Sequence, residues 1–296
     1  GVTFDPSRIQ QCAQKLAGEA RDRKRDGCTV ASTAVASLVY EKNTNCLLFD
    51  ELVLEKLHEK ISKEAVKNPE AVIAKLEKVR TALFSNGLNA HFIADVDAID
   101  QKLMSGEQWS WVTADARFGK GDRFTASAGE GVKPSLGKQL LIGVGGSESS
   151  FIYQTGFLDA DWNSDVLIPT MVFGQYLSQC EGPLWRAIRG DGLAYGANIF
   201  VKPDRKQITL SLYRCAQPAL AYERTRDIIV MGDLCHRIWN LTSEEMVKIG
   251  GPPMSRVFDE SSFVRSIAVH PSKLGEMKKA FPGSTKVKIS DLQFAC

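Results

Sequence analysis

From Lys138 onward the sequence alternates paired apolar runs with helix-period segments, and this alternation constrains the fold more than any other feature. "KQLLIGVGG" and "SSFIYQTGFLD" read as two strands. "NSDVLIPTMVFGQYLSQC", from Asn163, reads as a helix with Pro169 near its start. "AYGANIFVKP" and "QITLSLYRC" read as strands joined by a "PDRK" turn, and "QPALAYERTRDIIVMGD" as the helix that follows. "SFVRSIAVHP", "SKLGEMKKAF" and "TKVKISD" add a strand, a helix and a strand. Strand pairs separated by helices are the pattern of an α+β domain. No internal repeat of solenoid period is present.

The first part is helical. "SRIQQCAQKLAGEARDRKR" carries Ile9, Cys12, Leu16 and Ala20 at helical period, and "LLFDELVLEKLHEKISKEA" from Leu47 is strongly amphipathic. "TVASTAVASLVYE" is a segment of small residues that suits burial. "NPEAVIAKLEKVRTALFSNG" carries its own punctuation, with Asn68 as N-cap, Pro69 at the first helical position and Gly87 as the stop. "LNAHFIADVD" from Leu88 reads as a strand. The stretch from Ser105 to Gly137, which includes "FGKGDRFTASAGEGVKPSLG", reads as a linker between domains. The expected organisation is therefore 1–104, a linker over 105–137, and 138–296.

Length and charge exclude some classes and leave others open. A chain of 296 residues is long for one core and comfortable for two. The 37 basic and 35 acidic residues nearly cancel, to +2, so nothing demands a nucleic acid partner. "RDRKRD", Arg21 to Asp26, reads as a solvated helix end. No apolar run approaches the ~18 residues of a transmembrane helix, so no membrane partner is expected. The seven cysteines have irregular spacing and no C-x-x-C, which suits small buried hydrophobes in a reducing compartment. A cytoplasmic chain is expected, or a mitochondrial one if a targeting peptide preceded it.

Metal and nucleophile motifs are missing. The four histidines, His58, His91, His236 and His270, include no i, i+4 pair. "HEKIS" begins like H-E-x-x-H but ends in Ser62, and the inverted H-x-x-E-H is absent, so no metal site is expected in this chain. "IGVGGSESS", from Ile142 to Ser150, has no phosphate-loop lysine and precedes a strand, so it reads as a bend. No G-x-S-x-G occurs.

One stretch remains, "EGPLWRAIRGDGLAYGANI", from Glu181 to Ile199. It reads as a short helix, a Gly-rich turn and the start of a strand. Arg186 and Arg189, three apart, share a side of an α-helix. Gly190 and Gly192 end it. Tyr195 opens the strand six residues after Arg189. A turn this short fixes guanidinium and phenol relative to each other, and together they suit a carbonyl oxygen or a developing oxyanion. The same pattern fits an Arg on helix-terminal carbonyls and a Tyr packed in a sheet.

With "SESSFIYQTGFLD" upstream and "LAYERTRDII" downstream, this stretch resembles the last domain of pitrilysin/insulinase-type zinc metallopeptidases (inverzincins), in particular the presequence-protease subfamily and its cytosolic eukaryotic relatives. The resemblance covers Gln139 to Ile229 and extends more weakly over 1–104. It implies two-layer domains, each an antiparallel-rich sheet with helices packed on one face, with 1–104 ending a third domain and 138–296 forming a fourth, shortened after 230. It implies that the zinc and the glutamate base lie in an N-terminal zinc-bearing half, and that the two halves enclose a peptide substrate. Carried onto this chain, the residues that reach the tetrahedral intermediate are Arg189 and Tyr195, with Arg186, Gly192 and Gly196 on the substrate side. The family also contains inactive members, so a scaffold or peptide-binding protein of the same fold is the alternative.

Overall fold

A computed structural model of the chain describes residues 3–85, 95, 97–98, 131–231 and 242–292. The chain forms two compact units, residues 15–58 with 128–296, and residues 1–14 with 59–127.

The larger unit is built on a six-stranded mixed sheet. Its strands are β1 (Gln139–Gly143), β2 (Ser150–Phe157), β3 (Ala194–Lys202), β4 (Gln207–Cys215), β5 (Phe263–Val269) and β6 (Thr285–Val287), in the order β3-β4-β2-β5-β1-β6. The pairs β3·β4, β4·β2 and β2·β5 are antiparallel, while β5·β1 and β1·β6 are parallel. β5 is buried at every position, as a strand covered on both faces must be. Ile267 and Val269 join one apolar cluster, while Val264 and Ala268 join two others on the opposite face.

Helices α6 (Leu167–Ser178), α7 (Pro218–Met231), α8 (Thr242–Ser255) and α9 (Leu274–Ala280) supply the first cluster, through Phe173, Leu177, Ile228, Met254 and Met277. Helix α2 (Gly27–Val39) covers the other face, with Val30, Ala31 and Ala34 fully buried. Its small side chains allow a close approach: a Cβ on Gly27 would sit 2.6 Å from the Phe151 ring. Ser266 Oγ of β5 donates to the Ala31 carbonyl. The α+β class and the antiparallel-rich sheet are as the sequence suggests. The one-face expectation holds for α6 to α9, and α2, from the first part of the chain, makes a third layer.

Helix α2 buries its small apolar side chains against the later strands and leaves Thr29, Ser32 and Ser37 on its less buried side. Most of the expected linker falls outside the described residues, as do the strand expected from Leu88 and residues 232–241. The amphipathic segment from Leu47 is interrupted. Helix α3 (Asn45–Leu48) stops, and α4 (Glu51–Lys67) starts after Asp50, whose carboxylate accepts from the Leu52 N–H at 2.9 Å and from Thr33 Oγ1 at 2.8 Å. Helix α1 (Pro6–Arg23) precedes them, and α8 was not foreseen.

Arg265 is a buried cation at the centre of the larger unit, 4% exposed. Gln154 Oε1 accepts from it at 3.2 Å and Gln139 Oε1 accepts from its other terminal nitrogen. The rings of Phe281, Tyr222 and Phe263 surround it at 4.7, 5.0 and 5.0 Å. Burial pulls its pKa down from the ordinary arginine value, while Tyr222 and Glu260 act against that shift.

In the smaller unit, α5 (Pro69–Ser85) starts as the sequence predicts, with Asn68 Oδ1 accepting from the Ala71 N–H at 3.4 Å. The Arg80 guanidinium lies 5.2 Å from the centre of the Phe4 ring. No helix of the described residues is long and apolar enough to cross a membrane. The expectation of mostly buried cysteines is corrected among the five described: Cys215 is buried, Cys28 and Cys46 are half-buried, and Cys12 and Cys180 are exposed.

Candidate functional site

Trp185 to Gly190 forms a π-helical turn, not the α-helix end that the sequence suggests. The bond from the Leu193 N–H to the Ile188 carbonyl, 2.9 Å, closes it and leads directly into β3. Such wide turns are uncommon and often mark functional positions. The wider turn changes which side chains stack. Residues four apart lie nearly above one another, so the Arg189 guanidinium lies 5.7 Å from the centre of the Trp185 ring. Arg186, three before Arg189, no longer shares its side. It is exposed, and no hydrogen bond, ion pair or ring contact ties it to the group around Arg189.

The expected pair is brought together. The Arg189 guanidinium lies 4.6 Å from the centre of the Tyr195 ring, and both side chains are exposed, Tyr195 at 58%. Neither makes an ion pair or a side-chain hydrogen bond with another described residue. The reading of an arginine spent on helix-terminal carbonyls and a tyrosine packed inside a sheet is therefore not what forms. Gly192 holds φ +70°, which makes the sharp return from the helical turn to the strand possible, and a Cβ there would meet nothing within 4 Å. Gly190 needs no such freedom. Gly196 lies opposite Tyr213 in the β3·β4 register, and a Cβ there would lie in ordinary contact with the Tyr213 Cβ, at 3.7 Å.

Sequence reasoning missed two residues that complete the group. Tyr213 meets Tyr195 edge to face, with ring centres 6.2 Å apart, and meets Phe151 in the same way at 5.4 Å. The Arg214 guanidinium lies 5.3 Å from the centre of the Tyr213 ring. The register of β2 against β4 shifts here, from Ser150↔Cys215 to Ile152↔Leu212, so β4 carries one extra residue. Arg214 sits in that bulge at φ +50°, a conformation that costs a non-glycine residue on the order of 1 kcal/mol. The alternation of β4 gave no sign of it, because "LYRC" reads as an unbroken strand.

β3 is an outer strand of the sheet. Ser178 Oγ accepts from the Ile199 N–H at 2.8 Å and donates to the Ile199 carbonyl at 2.9 Å. Ile199 therefore turns its main-chain groups away from β4, while Tyr195, beyond a break in the burial alternation of β3, lies on the face opposite Ile199 and beside Tyr213. Among the described residues no three His, Cys, Asp or Glu side chains converge as a metal site requires. His58 and His270 stand apart from the Arg189 group.

No protein-family model matches the chain. Among curated proteins it is similar to an uncharacterised protein of Caenorhabditis elegans, 70% identical over 346 residues, which takes in 100% of this chain and 35% of the relative. It is also similar to an uncharacterised protein of Saccharomyces cerevisiae, 22% identical over 245 residues, 77% of this chain and 23% of the relative. The chain thus spans about a third and about a quarter of the lengths of these relatives. The worm alignment is longer than the 296 residues here, so that protein carries residues within the matched stretch that this chain lacks. Similar solved structures include the peptidase M16 inactive domain of Pseudomonas fluorescens, at 11% identity and TM-score 0.45, over 90% of this chain and 71% of that one. A protease of Helicobacter pylori aligns at 9% identity and TM-score 0.38, over 58% and 53%. A ferredoxin protease in complex with Arabidopsis ferredoxin aligns at 11% identity and TM-score 0.35, over 74% and 32%.

Proposed function

We propose that this chain is the C-terminal, non-zinc-binding half of a pitrilysin/insulinase-type metalloendopeptidase, and that Arg189 and Tyr195 act on the peptide held there. The observation that carries this reading is the Arg189 guanidinium 4.6 Å over the Tyr195 ring, both exposed and neither in an ion pair or side-chain hydrogen bond with another described residue. Attack on a peptide carbonyl moves negative charge onto its oxygen. Arginine meets that charge with a permanent cation, and tyrosine with an O–H donor. Such donors act through charge that develops in the transition state, so they lower the barrier more than they strengthen substrate binding. β3 is an outer strand of the sheet, and such a strand suits an extended peptide laid alongside.

The zinc of that family supplies the activated water. Among the described residues no three ligands converge to hold it, and in this reading its holder lies in an N-terminal half of a longer protein. The share of the worm relative that this chain spans, 35%, leaves room for such a half. The second reading, a peptide-binding scaffold of the same fold, uses the same open edge and exposed arginine–tyrosine pair without a bond being broken.

An internally quenched peptide incubated with the full-length protein separates the two. Cleavage by the full-length protein and none by this chain alone is expected. Binding of the peptide without cleavage by the metal-replete full-length protein would favour the scaffold.

A further inference from the structure

The Arg189–Tyr195 pair accounts for only half of the group that the structure assembles. Tyr195 and Tyr213 stack edge to face, and each ring carries a guanidinium, Arg189 at 4.6 Å and Arg214 at 5.3 Å. Neither arginine forms an ion pair with a described residue, and Asp191, in the intervening turn, pairs with neither. A guanidinium stacked on a ring has one flat face occupied, and its N–H donors remain at the edge, in the fork that matches a carboxylate. Arg214 is held at φ +50° by the bulge in β4. A glycine would hold that bend without strain, so the backbone does not account for the side chain.

We infer that Tyr213 and Arg214 extend the Arg189–Tyr195 pair into a recognition surface for a carboxylate, so that the peptide taken here carries an acidic side chain or a free C-terminus close to the site. This rests on the peptide reading of the site. Arg214 is the specificity-determining residue, and Tyr213 holds it while bracing Tyr195. Single-stranded nucleic acid also uses arginine and aromatic rings, but it needs a basic groove that tracks many phosphates. Here two stacked guanidinia form the group, in a chain of net charge +2.

The test is a fluorescence-anisotropy titration of this chain with three labelled ten-residue peptides of one sequence. One carries a single Glu and an amidated C-terminus. One replaces the Glu by Gln and stays amidated. One carries the Gln and a free C-terminal carboxylate. At least one carboxylate-bearing peptide is expected to bind on the order of tenfold more tightly than the neutral one, as a charge-assisted hydrogen bond supplies, and which one does so identifies the source of the carboxylate. Arg214→Gln and Arg214→Gly should both abolish the difference, and Arg214→Lys should keep part of it. Arg214→Gly relaxes the backbone, so its loss of preference is not a loss of folding. Equal binding of all three peptides, binding of none, a preference that survives Arg214→Gly, or displacement of the acidic peptide by a neutral-sequence oligonucleotide at lower concentration overturns the inference. Cleavage is not read here. A peptidase without this preference removes the inference alone, and a preference without any peptidase activity removes the peptidase reading alone.

Discussion

Tyr195 and Cys215 lie close in the sheet, near the ends of adjacent strands, and have opposite fates. Tyr195 is exposed under an arginine, while Cys215 is fully buried among aliphatic side chains. Burial pushes the Cys215 thiol up to about 12 from 9.0. In the unfolded chain the thiol ionises near its ordinary value, so the folded state holds its proton more tightly. The stability this supplies is fully present below about pH 9 and is lost as pH rises toward 12. Urea midpoints between pH 8 and 10.5 should therefore fall more steeply for the native sequence than for Cys215→Ala, and parallel slopes would contradict the buried thiol. The closeness of Arg189 and Tyr195 was legible from their spacing, since a turn of so few residues leaves little freedom. Tyr213 and Arg214 were not, because their part depends on a bulge that only strand pairing creates. Arg265 was not either: nothing in "SFVRSIAV" distinguishes a solvated arginine from one enclosed by three rings.

The short π-helical turn into β3 is the element on which the site depends. Gly192 makes its return possible at φ +70°, with open space where a Cβ would go. Gly192→Ala is therefore expected to cost only the backbone term, about 1 kcal/mol, measured as a shift in urea midpoint. No shift at all would mean that the turn relaxes to another conformation. The strands of the larger unit and its helices other than α8 were readable one by one, because alternation and turn residues are local. Their order in the sheet was not. The parallel run of β5, β1 and β6 joins segments far apart in sequence, and no local pattern encodes it. Helix α2 shows the same limit. Its small residues announce burial but not the sheet face that buries them. The turn from Trp185 reads as α-helix because π and α turns draw on the same residues and differ only in which carbonyl is reached.

At the scale of the whole molecule, the sheet is covered on both faces near its middle, and the arginines and tyrosines gather at the start of β3, an outer strand. A peptide lying on that edge meets charge and hydrogen-bond donors but, among the described residues, no metal-binding group. In the proposed reading the chain supplies the parts that hold and polarise a peptide, and it spans 35% of a relative 70% identical to it. The resemblance that led to Arg189 and Tyr195 was carried by Gln139 to Ile229 and was weaker over 1–104, the part that supplies α2 to the core of the later strands. The most direct measurement is steady-state kinetics of peptide cleavage by the full-length protein and its Arg189→Ala and Tyr195→Phe variants. If these residues meet charge that develops in the transition state, kcat falls on the order of 10²- to 10³-fold while KM changes little. An unchanged kcat in both variants would contradict that role and leave the group as a binding surface.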